Sequence, residues 1–309
     1  MKQTTNTIMM VRPSYFGWNA ETAKNNFFQK NEGNVLPATI LAKAQEEFDL
    51  FVSKLRKHGV EVIVLEDNSE SPDAIFPNNW ISFHQNGDIG VYPMYAENRR
   101  KEKREDVLDI LEEKGFHVEN VIDYSEAEEE DIFLEGTGSF ILDRVNKIAY
   151  ACISQRTDED LFIEFCEDFG YLPVIFHAYQ TYNGEKHEIY HTNVMMSVAD
   201  TFSIICLESI TSKKEKKLVI SQLKDSGKEI ISITEKQMHH LAGNVIQVEG
   251  NDEKKYLVMS QQAKDSLTEA QINSIEKHCE ILASPLETIE YYGGGGARCM
   301  IAEVFLPKK

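Results

Sequence analysis

Helix-like stretches recur along this chain at nearly equal intervals. Apolar residues at helical spacing begin near residues 40, 99, 157, 211 and 266, about 54 to 59 residues apart. The first stretch, Ile40–Gly59, carries Leu41, Ala44, Phe48, Phe51 and Leu55 on one face and ends at Gly59. The others read over Arg99–Gly115, Thr157–Gly170, Thr211–Gly227 and Ser266–Glu280, the last with Thr268 and Gln271 in capping-box spacing. Strand-like runs lie between them at Val60–Leu65, Ile81–Val91, Phe140–Ile153, Val194–Leu207, Val245–Ser260 and Met300–Phe305. Several look doubled around turn signals such as Gln85-Asn86-Gly87-Asp88. Five near-equal units of two or three strands plus a helix predict a closed radial α/β array. A doubly wound sheet would need single strands alternating with helices. No Pro- or Ser-rich linker interrupts residues 1–309, which read as one domain.

Charge and cysteine usage narrow the partners. The 51 acidic residues outnumber the 32 basic ones, giving a net charge of −19 that repels nucleic acid and anionic membranes, so neither is expected as a partner. The longest basic run, Lys213 to Lys217, includes Glu215 and reads as a solvated helix face. No apolar stretch approaches the twenty residues of a membrane span, and Ile8–Val11 is too short for a signal peptide. Cys152, Cys166, Cys206, Cys279 and Cys299 are odd in number, widely spaced and without a CxxC pair. That argues against a disulfide framework and a cysteine-rich zinc site, and the expected compartment is the cytoplasm.

Cys299 follows four consecutive glycines, Gly293 to Gly296. Such a run loses much entropy on ordering but lets a ligand come close to the backbone. A thiolate nucleophile needs that room, and needs positive charge or N–H dipoles to lower its pKa. The plainer alternative is a flexible turn before a last strand with an inert thiol. His191 lies in His187-Glu188-Ile189-Tyr190-His191, which matches the zinc-protease pattern HExxH. That pattern works only on a helix. Here Asn183-Gly184 reads as a turn and Thr192–Val198 as a strand, which would hold the two histidines about 13 Å apart. No metal is expected, and His191 is a candidate base. Glu135 is a single acid inside an apolar run followed by Gly136 and Gly138. If buried, it would suit acid–base work. The segment Pro72–Trp80 places Asp73, Asn78 and Asn79 on a proline-framed stretch. Arg12, Arg99, Arg100 and Arg156 offer guanidinium forks for a carboxylate, although any one of them is more often a surface ion pair.

Taken together, these pieces resemble the guanidine-modifying superfamily of arginine deiminases, dimethylarginine dimethylaminohydrolases and amidinotransferases. Leu134-Glu135-Gly136, His191 and the glycine run before Cys299 stand in that superfamily's order, along nearly the whole chain. Pro72-Asp73-Ala74-Ile75-Phe76 resembles the segment that grips the guanidine. Asn98–Glu102 and Ser154–Thr157 resemble the two arginine segments that hold the substrate carboxylate. The resemblance implies a five-bladed α/β-propeller (pentein) with pseudo-fivefold symmetry and a cofactor-free hydrolase. Cys299, His191 and Glu135 would be catalytic. Asp73, Asn79 and Asn193 would fix the planar head group, and Arg99 and Arg156 would hold the α-carboxylate.

Two departures set the expected substrate. Asn78-Asn79 and Asn193 stand where arginine-using relatives place aspartates. An amide donates and accepts, which suits a neutral ureido group better than a cation. The wording of Phe76–Trp80 and of the glycine run before Arg298-Cys299 looks most like a citrulline ureidase. The expectation is therefore hydrolysis of citrulline to ornithine, CO2 and ammonia. A deiminase or dimethylaminohydrolase acting on arginine or a derivative is the alternative. An amidinotransferase and a silent amino-acid-binding relative rank below it. The partner is a small amino acid, and a homo-oligomer stays open.

Overall fold

The computed structural model describes residues 1–31, 33 and 35–309. Among them are five three-stranded sheets of one design. Each begins with an antiparallel pair, continues through a surface helix, and adds a third strand parallel to the second. The second sheet is Ile81–Phe83, Asp88–Val91 and Asn120–Asp123, with helix Asp106–Glu113 in the crossover. The third is Phe140–Asp143, Ile148–Cys152 and Leu172–Phe176, around helix Glu159–Phe169. The fourth is Met196–Val198, Phe202–Ile205 and Glu229–Ser232, around Lys213–Asp225. The fifth is Ile246–Glu249, Lys255–Ser260 and Glu280–Ser284, around Gln261–Ser266 and Glu269–Glu276. The first sheet joins the two ends of the chain. Thr7–Arg12 pairs antiparallel with Ala302–Glu303 and parallel with Glu61–Glu66, and helix Pro37–Lys57 lies between its last two strands.

The expected helices are present with shifted ends: the first begins earlier, at Pro37, and the others are shorter than read. Asp158 and Ser212 cap their helices by accepting from Leu161 N and Glu215 N, and Thr268 and Gln271 form the expected capping box. The Arg99–Gly115 stretch differs: Glu97–Glu102 is a 3-10 segment, and the α-helix starts only at Asp106. Of the third strands, only Glu61–Glu66 had been read from its sequence. Asn120–Asp123 is mostly exposed and pairs on one side only, so nothing requires it to be hydrophobic. A hairpin, Tyr179–Tyr182 with Glu185–Glu188, stands outside the five sheets and turns at Asn183 and Gly184, both at positive φ.

Apolar clusters run from each sheet to a neighbour. Met9, Ile63, Ile81 and Ile89 join the first and second sheets. Tyr92, Phe140 and Ala149 join the second and third. Tyr150, Ile204 and Leu257 join the third, fourth and fifth. Phe48, Phe51 and Leu55 of the first helix pack with Met10, Val62, Val258 and Leu282, which joins the fifth sheet to the first. Each such buried side chain stabilises the fold by about 1.5–3 kcal/mol. A Phe51→Ala cavity would cost about 3–5 kcal/mol.

Candidate active site

Asn79, Glu135, His191 and Cys299 stand on tight turns just before the first strand of a sheet. Asn79 ends the 3-10 turn Pro77–Asn79, before Ile81–Phe83. Glu135 caps the single helical turn Gly136–Ser139, before Phe140–Asp143. His191 is extended and leads into the 3-10 turn Thr192–Val194, where a continuous strand was expected. Cys299 lies between the glycine run and Ala302–Glu303. The glycines have steric reasons. A Cβ on Gly138 would lie 2.4 Å from Asn79 Nδ2 and 2.9 Å from His191 Nδ1. Gly294 has φ +65°, and a side chain there would strike Asn26 and Gln29.

Asp73, Asn79, Arg99, Arg156, His191 and Cys299 line one enclosed space, and none is more than 4 % exposed. Glu135 lies directly behind it. Its Oε2 accepts from His191 Nε2 at 2.7 Å and from Arg156 Nη1 at 3.4 Å, while Oε1 accepts from Tyr95 N at 2.9 Å. Burial alone would push this carboxyl up, but Arg156, His191 and Arg99 hold it well below the carboxylate range. Burial pushes the His191 imidazole below its ordinary value against the pull of Glu135. The pair is therefore a fixed carboxylate and a neutral imidazole with its Nε2 proton anchored, which suits proton transfer. Burial raises the Cys299 thiol, partly offset by hydrogen bonds from Asn244 and Asn193 and by Arg298.

The two arginines sit at the wall but bond to the protein. Arg99 gives Nε and Nη2 to Glu102 at 2.9 and 2.8 Å, and Nη1 to Asn79 Oδ1 at 2.8 Å. It also reaches the carbonyls of Asp73 and Phe76, so it frames the Asp73–Asn79 segment. Arg156 gives Nε and Nη2 to Asn25 Oδ1, and Nη2 also to Thr22 O at 2.8 Å. Its guanidinium stacks 4.8 Å from the Tyr190 ring centre. The expected bidentate grip on a substrate carboxylate is not available in this arrangement, because protein acceptors occupy both forks. Asn79 differs from expectation in the same way. Its Oδ1 takes Arg99, and its Nδ2 donates to Asn78 Oδ1 at 3.2 Å.

Asp73 Oδ2 accepts from Asn19 Nδ2 at 2.8 Å and Thr22 Oγ1 at 3.0 Å, leaving Oδ1 buried without a partner. Asn193 donates to Cys299 Sγ at 3.3 Å, and its buried Oδ1 also lacks a partner.

Sequence reading passed over two residues. Gln29 gives Nε2 to Thr22 Oγ1 and Gly293 O, and leaves Oε1 buried and unpartnered in the lining of the same space. Asn244 donates to Cys299 Sγ at 3.1 Å from the turn before Ile246–Glu249. The repeat itself held the signal for Asn244, since four of the five such turns had already yielded a candidate. His187 is on the outer hairpin, its ring tilted against Phe27 at 4.3 Å between centres, and does not share a site with His191. Among the described residues, no group of three or more His, Cys, Asp or Glu is placed to hold a metal.

A family model described as N,N dimethylarginine dimethylhydrolase, eukaryotic, matches residues 12–306. No curated protein matches the sequence. Among solved structures, the chain is similar to ArgZ, an arginine dihydrolase from the ornithine–ammonia cycle in cyanobacteria, with TM-score 0.73 and 15 % identity. That match covers 98 % of this chain but 41 % of ArgZ, so the chain spans about two fifths of that protein. Against the N-terminal domain of ArgZ bound to substrate, the coverage is 97 % and 99 %, with TM-score 0.72 and 16 % identity. AgrE in complex with ornithine and NAD+ gives TM-score 0.71 and 17 % identity over 98 % of this chain and 40 % of AgrE. A dimethylarginine dimethylaminohydrolase carrying an S-methyl-L-thiocitrulline adduct gives 0.61 and 15 % over 96 % and 98 %. At these identities the structural likeness speaks for the fold. The family match spans nearly the whole chain, which therefore belongs to the N,N-dimethylarginine dimethylhydrolase family of the guanidino-modifying pentein superfamily.

Proposed function

We propose that this enzyme hydrolyses the guanidino group of arginine or an arginine derivative. The carrying observation is the set of buried, unpartnered acceptors around Cys299: Asp73 Oδ1, Gln29 Oε1 and Asn193 Oδ1. A guanidinium offers five N–H donors and no acceptor, and an α-ammonium three more donors, so an arginine-type amino acid complements this set. The family description, and ArgZ as an arginine dihydrolase, support the same substrate class over citrulline, which sequence reading put first.

In this reading the Cys299 thiolate attacks the guanidino carbon and forms a C–S bond. The C–N bond to ammonia or an alkylamine breaks, and the departing nitrogen takes the proton that His191 accepted from the thiol, which returns the imidazole to its neutral form. His191 then removes a proton from water as it attacks the covalent adduct. The C–S bond breaks and frees a ureido product and the thiolate. Glu135 holds the imidazole and stabilises its protonated form.

Citrulline remains the second reading. The observation that favours it is Asn193, whose neutral amide faces the sulfur in place of a carboxylate. We also infer that the five units close into a five-bladed ring, supported by apolar clusters linking successive sheets and by the pairing of the two chain ends. All five thiols are free, which suits our cytoplasmic placement.

The test is amine release from arginine, dimethylarginine and citrulline side by side, with Cys299→Ala as control. We expect kcat/KM for the better arginine-type substrate to exceed that for citrulline at least about tenfold, a difference of about 1.4 kcal/mol. A preference for citrulline hands the site to the second reading. Full turnover by folded Cys299→Ala removes both.

A further inference from the structure

Asn244 binds together three segments that meet at the sulfur. Its Nδ2 donates to Cys299 Sγ at 3.1 Å and to Asn193 O at 2.9 Å, and its Oδ1 accepts from Gly296 N at 3.0 Å. Both donors and the acceptor are used, and the residue is 1 % exposed. Its turn docks directly on the His191 segment, because a Cβ on the preceding Gly243 would lie 2.5 Å from Val194 O. Asn193 approaches the same sulfur at 3.3 Å. Among the described residues, these two amides are the side chains that hydrogen-bond the sulfur.

We propose that Asn244 is a positioning residue for the nucleophile, forming with Asn193 a two-amide cradle that stabilises the Cys299 thiolate and fixes it through the Gly296 amide. The inference rests on Cys299 as the nucleophile. Reactive cysteines commonly draw on an adjacent cation or a helix N-terminus. Here Arg298, the neighbour in sequence, turns away to Ile301 O and Glu303. The other titratable groups facing this space are Asp73, Tyr190, Arg99, Arg156 and the Glu135–His191 pair. His191 and Arg156 are tied to Glu135, and Arg99 to Glu102. Among side chains, N–H donation to the sulfur therefore comes from the two amides, beside the backbone N–H of Gly296 that Asn244 holds. Asparagine fits the position because the role needs two donors and one acceptor on a short stem. Aspartate keeps the acceptor for Gly296 N but sets an oxygen against both the sulfur and Asn193 O.

The test is the pH dependence of iodoacetamide alkylation at Cys299, followed by mass spectrometry. There the thiolate lone pair displaces iodide and forms a thioether. In Asn244→Ala the alkylation midpoint should rise by about one to two pH units, as expected for one lost hydrogen bond to a charged group. Asn244→Asp should raise it further, and Asn244→Ser, with one hydroxyl donor, should recover part of the shift. With the amino-acid substrate, kcat should fall at least about tenfold with KM little changed, as for an interaction that acts on the nucleophile. An unchanged midpoint in folded Asn244→Ala overturns the proposal. If that variant does not fold, an unchanged midpoint in the isosteric Asn244→Asp does so. Alkylation falling on other cysteines, together with turnover by Cys299→Ala, sinks the nucleophile assignment itself and the proposal with it.

Discussion

Glu135 Oε2 and His191 Nε2 are 2.7 Å apart in a setting where neither side chain is more than 2 % exposed. A hydrogen bond to a charged group in such surroundings is strong, and its loss leaves polar groups stranded. Glu135 also holds Arg156 and the Tyr95 amide, so one carboxylate fixes the His191 ring and one wall of the site.

Glu135→Gln should therefore lower kcat by about 10²–10⁴-fold, the range for general acid–base contributions. It should also destabilise the fold, because Arg156 loses its buried counter-charge, a change that can cost about 3–5 kcal/mol. Steady-state kinetics and urea unfolding check both parts. A Glu135→Gln protein with near-native kcat would show that His191 needs no carboxylate.

The pH profile follows from two opposite shifts. Burial raises the Cys299 thiol and lowers the His191 imidazole, so at neutral pH the free enzyme holds a thiol and a neutral base. kcat/KM should rise as pH climbs toward the thiol's raised value. A bound guanidinium beside the sulfur favours the thiolate, so for arginine-type substrates the alkaline rise in kcat should lie at lower pH than the rise in kcat/KM. For neutral citrulline the two should nearly coincide. Profiles of both constants for both substrates measure this, and equal displacement for the two would remove the cation from the explanation.

The candidate residues Cys299 and Glu135 and the repeat were legible because each has a local signature. Cys299 follows a glycine run, Glu135 interrupts apolar residues, and the helices recur with a period. Partners were not legible. Arg99 read as a fork for a substrate carboxylate or a surface ion pair, because nothing local shows that its side chain and that of Glu102 turn inward together. Gln29 reaches Gly293 across 264 residues and Asn244 reaches Cys299 across 55, so only the folded arrangement puts those atoms in contact. The edge strand Asn120–Asp123 was missed because one-sided pairing asks little of its composition.

Gln29 supplies one of the unpartnered acceptors. Gln29→Leu keeps the bulk but removes Oε1 and the bonds to Thr22 and Gly293. KM for an arginine-type substrate should rise about tenfold with a smaller change in kcat, the signature of lost uniform binding. An unchanged KM would show that Oε1 does not meet the substrate.

Glu290, just before the glycine run, is the clearest liability in the fold. Burial, with Glu47 and Glu287 nearby, pushes its carboxyl up to about 8, and Oε1 has no partner. The folded state thus holds a proton that the unfolded chain releases near 4.5. Stability from this group is complete below that value and is lost as pH rises through about 8. Glu290→Gln should raise stability on the order of 1 kcal/mol at alkaline pH, with the gain vanishing near pH 4. Thermal melts across that range test the slope, and a gain that does not depend on pH would point to packing instead of the proton.

The two amides once read together now separate. Asn79 Oδ1 already accepts from Arg99, so the new carboxylate of Asn79→Asp would pair with that guanidinium and leave substrate preference nearly unchanged. Asn193 has an open Oδ1 beside the sulfur, so Asn193→Asp would set a carboxylate against both the substrate head group and the thiolate. The repulsion should lower kcat for every substrate. The attraction acts on cations alone, and a charge-assisted bond contributes about 1.5–3 kcal/mol. The arginine-to-citrulline ratio of kcat/KM should therefore rise by roughly ten- to a hundredfold in Asn193→Asp and stay within about threefold of wild type in Asn79→Asp. If the ratio moves with Asn79 and not with Asn193, the head group lies on the Asn79 side of the space, and Asn193 serves the sulfur alone.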